Sequence, residues 1–214
     1  ASNNTGVGYF ALVANTTGYD NVAFGAYAGQ NVTEGNENTA VGKSSLHDCT
    51  TGDRNVAVGL NALFENTTAD NNTAVGYIAL KSNTTGAYNV AVGGACLDEN
   101  TTGADNTAVG YNALGLNTTA DDNVAVGTSA LAANTTGDKN TAVGRSTLDA
   151  NTTGAMNTVI GYDAGTAITT GTSNTIVGES AASVGTSFSS NTAIGRLALQ
   201  NATAGDNTGV GRGA

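Results

Sequence analysis

The feature that most constrains this chain is a period. Asn-Thr-Ala-Val-Gly stands intact at Asn38–Gly42, Asn72–Gly76, Asn106–Gly110 and Asn140–Gly144, and near-copies begin between them at Asn21, Asn55, Asn89 and Asn123. The step is 17 residues, with starts at positions 4, 21, 38, 55, 72, 89, 106, 123, 140, 157, 174, 191 and 207. Such a period predicts stacked repeats, none of which can bury its apolar face alone. One array of about 12–13 coils is expected over 1–214, without an internal domain boundary. Less regular coils are expected over 157–206, where Asn-Thr-Thr gives way to Ile168-Thr169-Thr170 and Gly185-Thr186-Ser187.

Numbered from its first asparagine, the repeat reads Asn, Thr or Val, Ala, Val, Gly, two variable residues, Ala, Leu, two variable residues, Asn, Thr, Thr, Gly, two variable residues. Helix is excluded: these residue types disfavour it, and no apolar stripe recurs at helical spacing. Thr/Val-Ala-Val is a short extended run that glycine ends, and Ala-Leu with its flanks is expected to form a second short strand. Asn-Thr-Thr-Gly is turn chemistry. The expected fold is all-β, a parallel β-solenoid or β-roll with about one coil per 17 residues.

Stacking then assigns structural roles. Valines at position 4 (Val41, Val58, Val75, Val92, Val109, Val126) and leucines at position 9 (Leu63, Leu80, Leu97, Leu114, Leu131) are expected as two aliphatic ladders inside the roll. Asparagines at position 1 (Asn38, Asn55, Asn72, Asn89, Asn106, Asn123) are expected as an amide ladder along the axis. Glycines at position 5 (Gly42, Gly59, Gly76, Gly93, Gly110, Gly127) are expected to turn the corner where no Cβ fits. Position 2 alternates from Thr5 and Val22 through to Val124 and Thr141, then stays threonine from Thr158; this reads as a partly buried position.

Composition narrows the partners. A net charge of -10 argues against nucleic acid and anionic membrane, and no apolar run is long enough to cross a bilayer. Cys49 and Cys96 lie three repeats apart, about 14 Å at the spacing of neighbouring strands, which predicts thiols rather than a disulfide. The chain opens at Ala1 without methionine, and neither end carries a polar cap. A processed or excised piece is expected, whose ends continue into further domains or stack on another subunit.

The kernel Asn-Thr-Ala-Val-Gly resembles the YadA-like head repeats of trimeric autotransporter adhesins. The longer form Asn-Thr-Ala-Val-Gly-Tyr-x-Ala-Leu-x-x-Asn-Thr-Thr-Gly, at Asn72–Gly86, is still more similar to repeats of phage tail-fibre-like proteins. The resemblance spans nearly the whole chain. It implies a left-handed, usually trimeric parallel β-roll in an extracellular, cell-surface or virion appendage, and it brings no catalytic residues.

Candidates for chemistry are few. His47 is the only histidine; side chains adjacent in sequence are expected to point apart, so His47, Asp48 and Cys49 are not read as a nucleophile or zinc site. Acidic turn residues such as Asp53, Asp70 and Asp138 are read as a solvated edge rather than a calcium ladder. Asn-x-Thr sequons make Asn15, Asn66, Asn83, Asn100, Asn117, Asn134 and Asn151 candidate glycosylation sites, with further sequons at Asn3, Asn31, Asn71 and Asn201. Tyr9, Tyr77, Tyr111 and Tyr162 share position 6 and are candidates for surface recognition.

The functional expectation is a fibre or adhesion module that is not an enzyme and uses no cofactor. It would be a homotrimer joined through small alanine faces at positions 3 and 8, with a cell-surface glycan or receptor as a further partner. One alternative is an end-to-end polymerising filament subunit; another is a solenoid that binds ice or glycan, against which adjacent threonines such as Thr84 and Thr85 facing opposite ways would count.

Overall fold

A computed structural model describes residues 1–214. Every regular element is a three-residue strand, and the chain packs as two compact units, 1–105 and 106–214. The first unit holds β1 (Thr5–Val7), β2 (Val22–Phe24), β3 (Thr39–Val41), β4 (Val56–Val58), β5 (Thr73–Val75) and β6 (Val90–Val92). The second holds β7 (Thr107–Val109), β8 (Val124–Val126), β9 (Thr141–Val143), β10 (Thr158–Ile160), β11 (Thr175–Val177), β12 (Thr192–Ile194) and β13 (Thr208–Val210). Within each unit successive strands pair in parallel, and residues one repeat apart lie opposite each other, as Ala57 lies opposite Ala74. Each unit is therefore a parallel β-solenoid. The repeat that lacks one residue still keeps register, Thr192 pairing with Thr208.

Which strand residue faces inward differs from the sequence expectation. Ala57, Ala74 and Ala91, at position 3, are fully buried, and the flanking residues at positions 2 and 4 point outward. Val41, Val58, Val75 and Val126 are half-buried, and Val92 and Val109 are exposed (37% for Val92). The valines form in-register ladders, but on the outside. The coil is narrow: opposite the position-9 leucine there is room for a methyl group, so alanine takes the inward place and strand alternation turns both neighbours out. For the same reason the alanine faces cannot join subunits, since Ala57, Ala62, Ala74 and Ala79 are all completely buried.

The second strand expected at Ala-Leu is also absent. Positions 5 to 9 form a turn, in which position 7 (Asn61, Ser129) and the leucine itself (Leu63, φ 53°) take the left-handed conformation. That conformation costs a leucine roughly 1–2 kcal/mol. Burying its side chain returns about 1.5–3 kcal/mol, and its amide donates to the next coil, Leu63 N–H to Ala79 O at 3.0 Å. Leu63, Leu80, Leu97, Leu114 and Leu131 are all fully buried.

Two asparagine ladders complete the interior. At position 1, the side-chain oxygen accepts the backbone N–H of the next coil's asparagine, as from Asn55 to Asn38 Oδ1 at 2.9 Å, while Nδ2 reaches across to the turn, Asn55 to Ala69 O at 2.8 Å. Side chain thus bonds mainly to backbone, and from Asn140 onward amide-to-amide contacts between successive coils join in, as from Asn157 Nδ2 to Asn140 Oδ1 at 3.0 Å. A second ladder, at position 12, does run amide to amide: Asn83 Nδ2 donates to Asn66 Oδ1 at 3.0 Å and to Gly86 O at 2.9 Å. At the corner, Gly42 has φ +129°, and a Cβ there would lie 2.5 Å from the carbonyl oxygen of Gly59.

Where leucine fails at position 9, another residue fills the gap. Gly29 is followed at position 12 by buried Val32, and in the eleventh repeat the ring of Phe188 occupies the space beside Gly185.

Candidate functional site

The surface that stands out is the outward sheet face. Position 2 (Thr39, Val56, Thr73, Val90) and position 4 (Val41, Val58, Val75, Val92) form two straight rows, and in both units they hold only Thr, Val, Ile or Phe. No charged residue of this acidic chain lies on them. The acidic groups sit elsewhere on the coil and serve the backbone: Asp53 Oδ1 accepts from Asn36 N–H and Asp70 Oδ1 from Asp53 N–H, both at 2.8 Å. No three His, Cys, Asp or Glu side chains converge as a metal-binding group.

Tyr9, Tyr77, Tyr111 and Tyr162 all lie on the outside, with Tyr9 64% and Tyr77 59% exposed. Only Tyr9 belongs to an aromatic group: its ring meets Phe10 edge-on at 4.3 Å and Tyr27 at 5.4 Å. Arg145 lies 5.8 Å over the ring of Tyr162. Sequence reasoning missed Phe10 and Tyr27; the signal was available as bulky residues at position 7, where Ser44, Asn61 and Ser129 are the smaller choice.

His47 and Asp48 do not point apart. Nδ1 of His47 lies 2.6 Å from Asp48 Oδ1, Nε2 lies 2.9 Å from Gln30 Oε1, and the ring stacks on Phe64 at 4.7 Å. They lie at a bend outside any strand, so alternation does not separate them. Cys49 faces inward instead, at the position that Asn66 holds one coil later. Burial pushes its thiol up to about 11, which removes the thiolate a nucleophile needs. Both cysteines are buried thiols.

Most of the candidate glycosylation sites are enclosed. Asn66, Asn83, Asn100, Asn117, Asn134 and Asn151 are fully buried, and their Nδ2 atoms are donors in the position-12 ladder, so the folded coil has no room for a glycan there. Asn15 is half-buried, with Nδ2 itself enclosed. The sequon residues Asn3 and Asn201 are exposed, and Asn31 and Asn71 are half-buried. In the same turn, Thr84 donates its hydroxyl to Thr101 O at 2.9 Å, and Thr85 is exposed.

The fold and its ladders define a parallel β-solenoid built from a 17-residue tandem repeat. Among known proteins, no family model, no curated protein and no solved structure matches the chain.

Proposed function

We propose that the chain is a non-enzymatic structural module of an extracellular or virion fibre, assembled side by side with further copies through the sheet face of positions 2 and 4. The observation that carries this reading is the segregation of charge. Two chains of net charge -10 repel wherever their acidic turns meet, and the outward strand rows are free of charge throughout. Rows of partly exposed valine and isoleucine lose unfavourable contact with water when a second such face covers them. The polar interior is consistent with a structural role, since both asparagine ladders and the Thr84-type hydroxyls are engaged in holding one coil to the next.

Light scattering across a concentration series tests the proposal. A fixed mass of three chains supports a trimeric fibre segment, and open-ended growth supports a filament subunit. A monomer that persists at high concentration overturns both.

A further inference from the structure

This inference rests on association through the sheet face and concerns how the copies find their register. In the first unit position 2 reads Thr5, Val22, Thr39, Val56, Thr73, Val90, and the alternation runs on in sequence through Thr107, Val124 and Thr141. The strands align these residues rung by rung, Thr39 beside Val56 and Val56 beside Thr73. Threonine and valine have nearly the same shape, so successive rungs match in relief and differ only in a hydroxyl. The hydroxyls at position 13 are satisfied within the chain, Thr50 donating to Thr67 O at 3.0 Å and Thr67 to Thr84 O at 3.1 Å. Those of Thr39 and Thr73 have no partner within the chain and face outward.

A hydroxyl buried against another hydroxyl is satisfied, whereas one buried against a methyl group is stranded at a cost in free energy. Within the first unit, displacing two aligned copies by one coil sets each paired threonine rung against valine; displacing them by two restores the match. Position 4, apolar throughout, cannot make this distinction. We infer that the Thr/Val alternation is a register code: a second copy of this chain docks on the sheet face at one coil phase, and a one-coil displacement is rejected.

The test uses the full chain and a phase-swapped chain of the same composition, V22T/T39V/V56T/T73V/V90T/T107V/V124T/T141V, whose changes are near-isosteric and outward. Val58→Cys in one copy is scanned by oxidative cross-linking against Val41→Cys, Val58→Cys, Val75→Cys and Val92→Cys in a second copy. A disulfide needs Cα atoms within about 7 Å and neighbouring coils are about 4.8 Å apart, so a one-coil shift changes which pair forms.

Whichever rung Val58→Cys finds between two wild-type-phase copies, its partner in the swapped chain is expected one coil away. The yield ratio should reverse by at least about tenfold, because a single stranded hydroxyl weakens pairing by roughly that factor. An unchanged partner rung overturns the register code and leaves association standing; chains that stay monomeric and form no intermolecular disulfide overturn association as well. If the eightfold swap does not melt cooperatively, T39V/T73V/T107V/T141V, which erases the alternation, keeps the test: cross-linking between two such copies should lose most of its preference for one rung, and an undiminished preference overturns the register code.

Discussion

Ile168 fills, from three residues downstream, the space that Gly165 leaves open: a Cβ on Gly165 would meet Ile168 Cδ1 at 3.3 Å. Gly165 stands where the coil normally carries leucine, and Ile168 stands where it normally carries the ladder asparagine. Apolar volume has moved from one interior position to another, with Val159 in place of the strand alanine adding more. The exchange interrupts the ladder. Asn151 Oδ1 is buried without a hydrogen-bond partner, because the residue that would donate to it from the next coil is Ile168.

The three positions should therefore be coupled. Gly165→Leu alone overfills the coil at a cost of about 1–3 kcal/mol. Ile168→Asn alone leaves a void and should cost about 2–5 kcal/mol, less what Asn151 regains in a donor. The triple change V159A/G165L/I168N restores the usual packing and extends the ladder, so it should melt well above either single variant. Equal, additive losses in thermal melts would show that the positions are independent.

How much of this was legible in the sequence depended on what kind of constraint was being read. The spacing of Asn55 and Asn72 sets the coil length and the strand register, because only residues one period apart can stack. The glycine corner was equally legible, since Gly42 recurs where the chain must turn. Inside and outside were not. Alternation places Val56 and Val58 on one face and Ala57 on the other, but which face is buried depends on coil width, and side-chain size alone points to the wrong one. Leu63 is a related case: its burial follows from the recurrence of leucine at position 9, but the left-handed turn that presents it has no propensity signal. Nor does the sequence pattern show that Val32 and Ile168 fill the space where Gly29 and Gly165 replace leucine, because that compensation runs between two different repeat positions.

The position-12 ladder predicts a sharp difference between amide and carboxylate at Asn83. Its Nδ2 holds both Asn66 Oδ1 and Gly86 O, and the residue is fully buried. Asn83→Asp removes both donors and buries a charge, so at neutral pH it should lose about 3–5 kcal/mol, against about 1–3 for Asn83→Ala. Burial raises the new carboxyl in the folded state above its unfolded value. The sign follows: the loss is smallest below the unfolded pKa and grows as pH rises through the folded one. Melts of Asn83→Asp from acid to neutral pH should fall relative to wild type, and a pH-independent difference would mean the residue is not enclosed.

Cys49 offers a second pH dependence. Burial is the main cause of its raised pKa, to about 11 from 9.0. The unfolded thiol ionises first, so this group's stabilising contribution is complete below about pH 9 and is lost as pH rises towards 11. Cys49→Asn, which places the usual ladder residue beneath Asn66, should remove this part of the alkaline decline. The buried thiols should also resist alkylation at pH 8 until denaturant is added. Rapid labelling of native Cys49 would contradict its enclosure.

The sheet face separates folding from assembly. Val58 and Val75 lie opposite each other on β4 and β5, half-buried and outward, with none of the enclosed contacts that Ala57 and Ala74 make. Val58→Lys with Val75→Lys leaves the interior intact, so the melting midpoint of the isolated chain should change little, within about 0.5 kcal/mol per site. Association is another matter. Each lysine would be buried between two faces that offer it no carboxylate, and stranded charge of this kind costs several kcal/mol. The double variant should therefore remain monomeric at concentrations where the wild type associates. Ala57→Lys should fail to fold, because its side chain would enter a coil with room for one methyl group. If the outward double variant assembles as the wild type does, the contact between copies lies on another face of the coil.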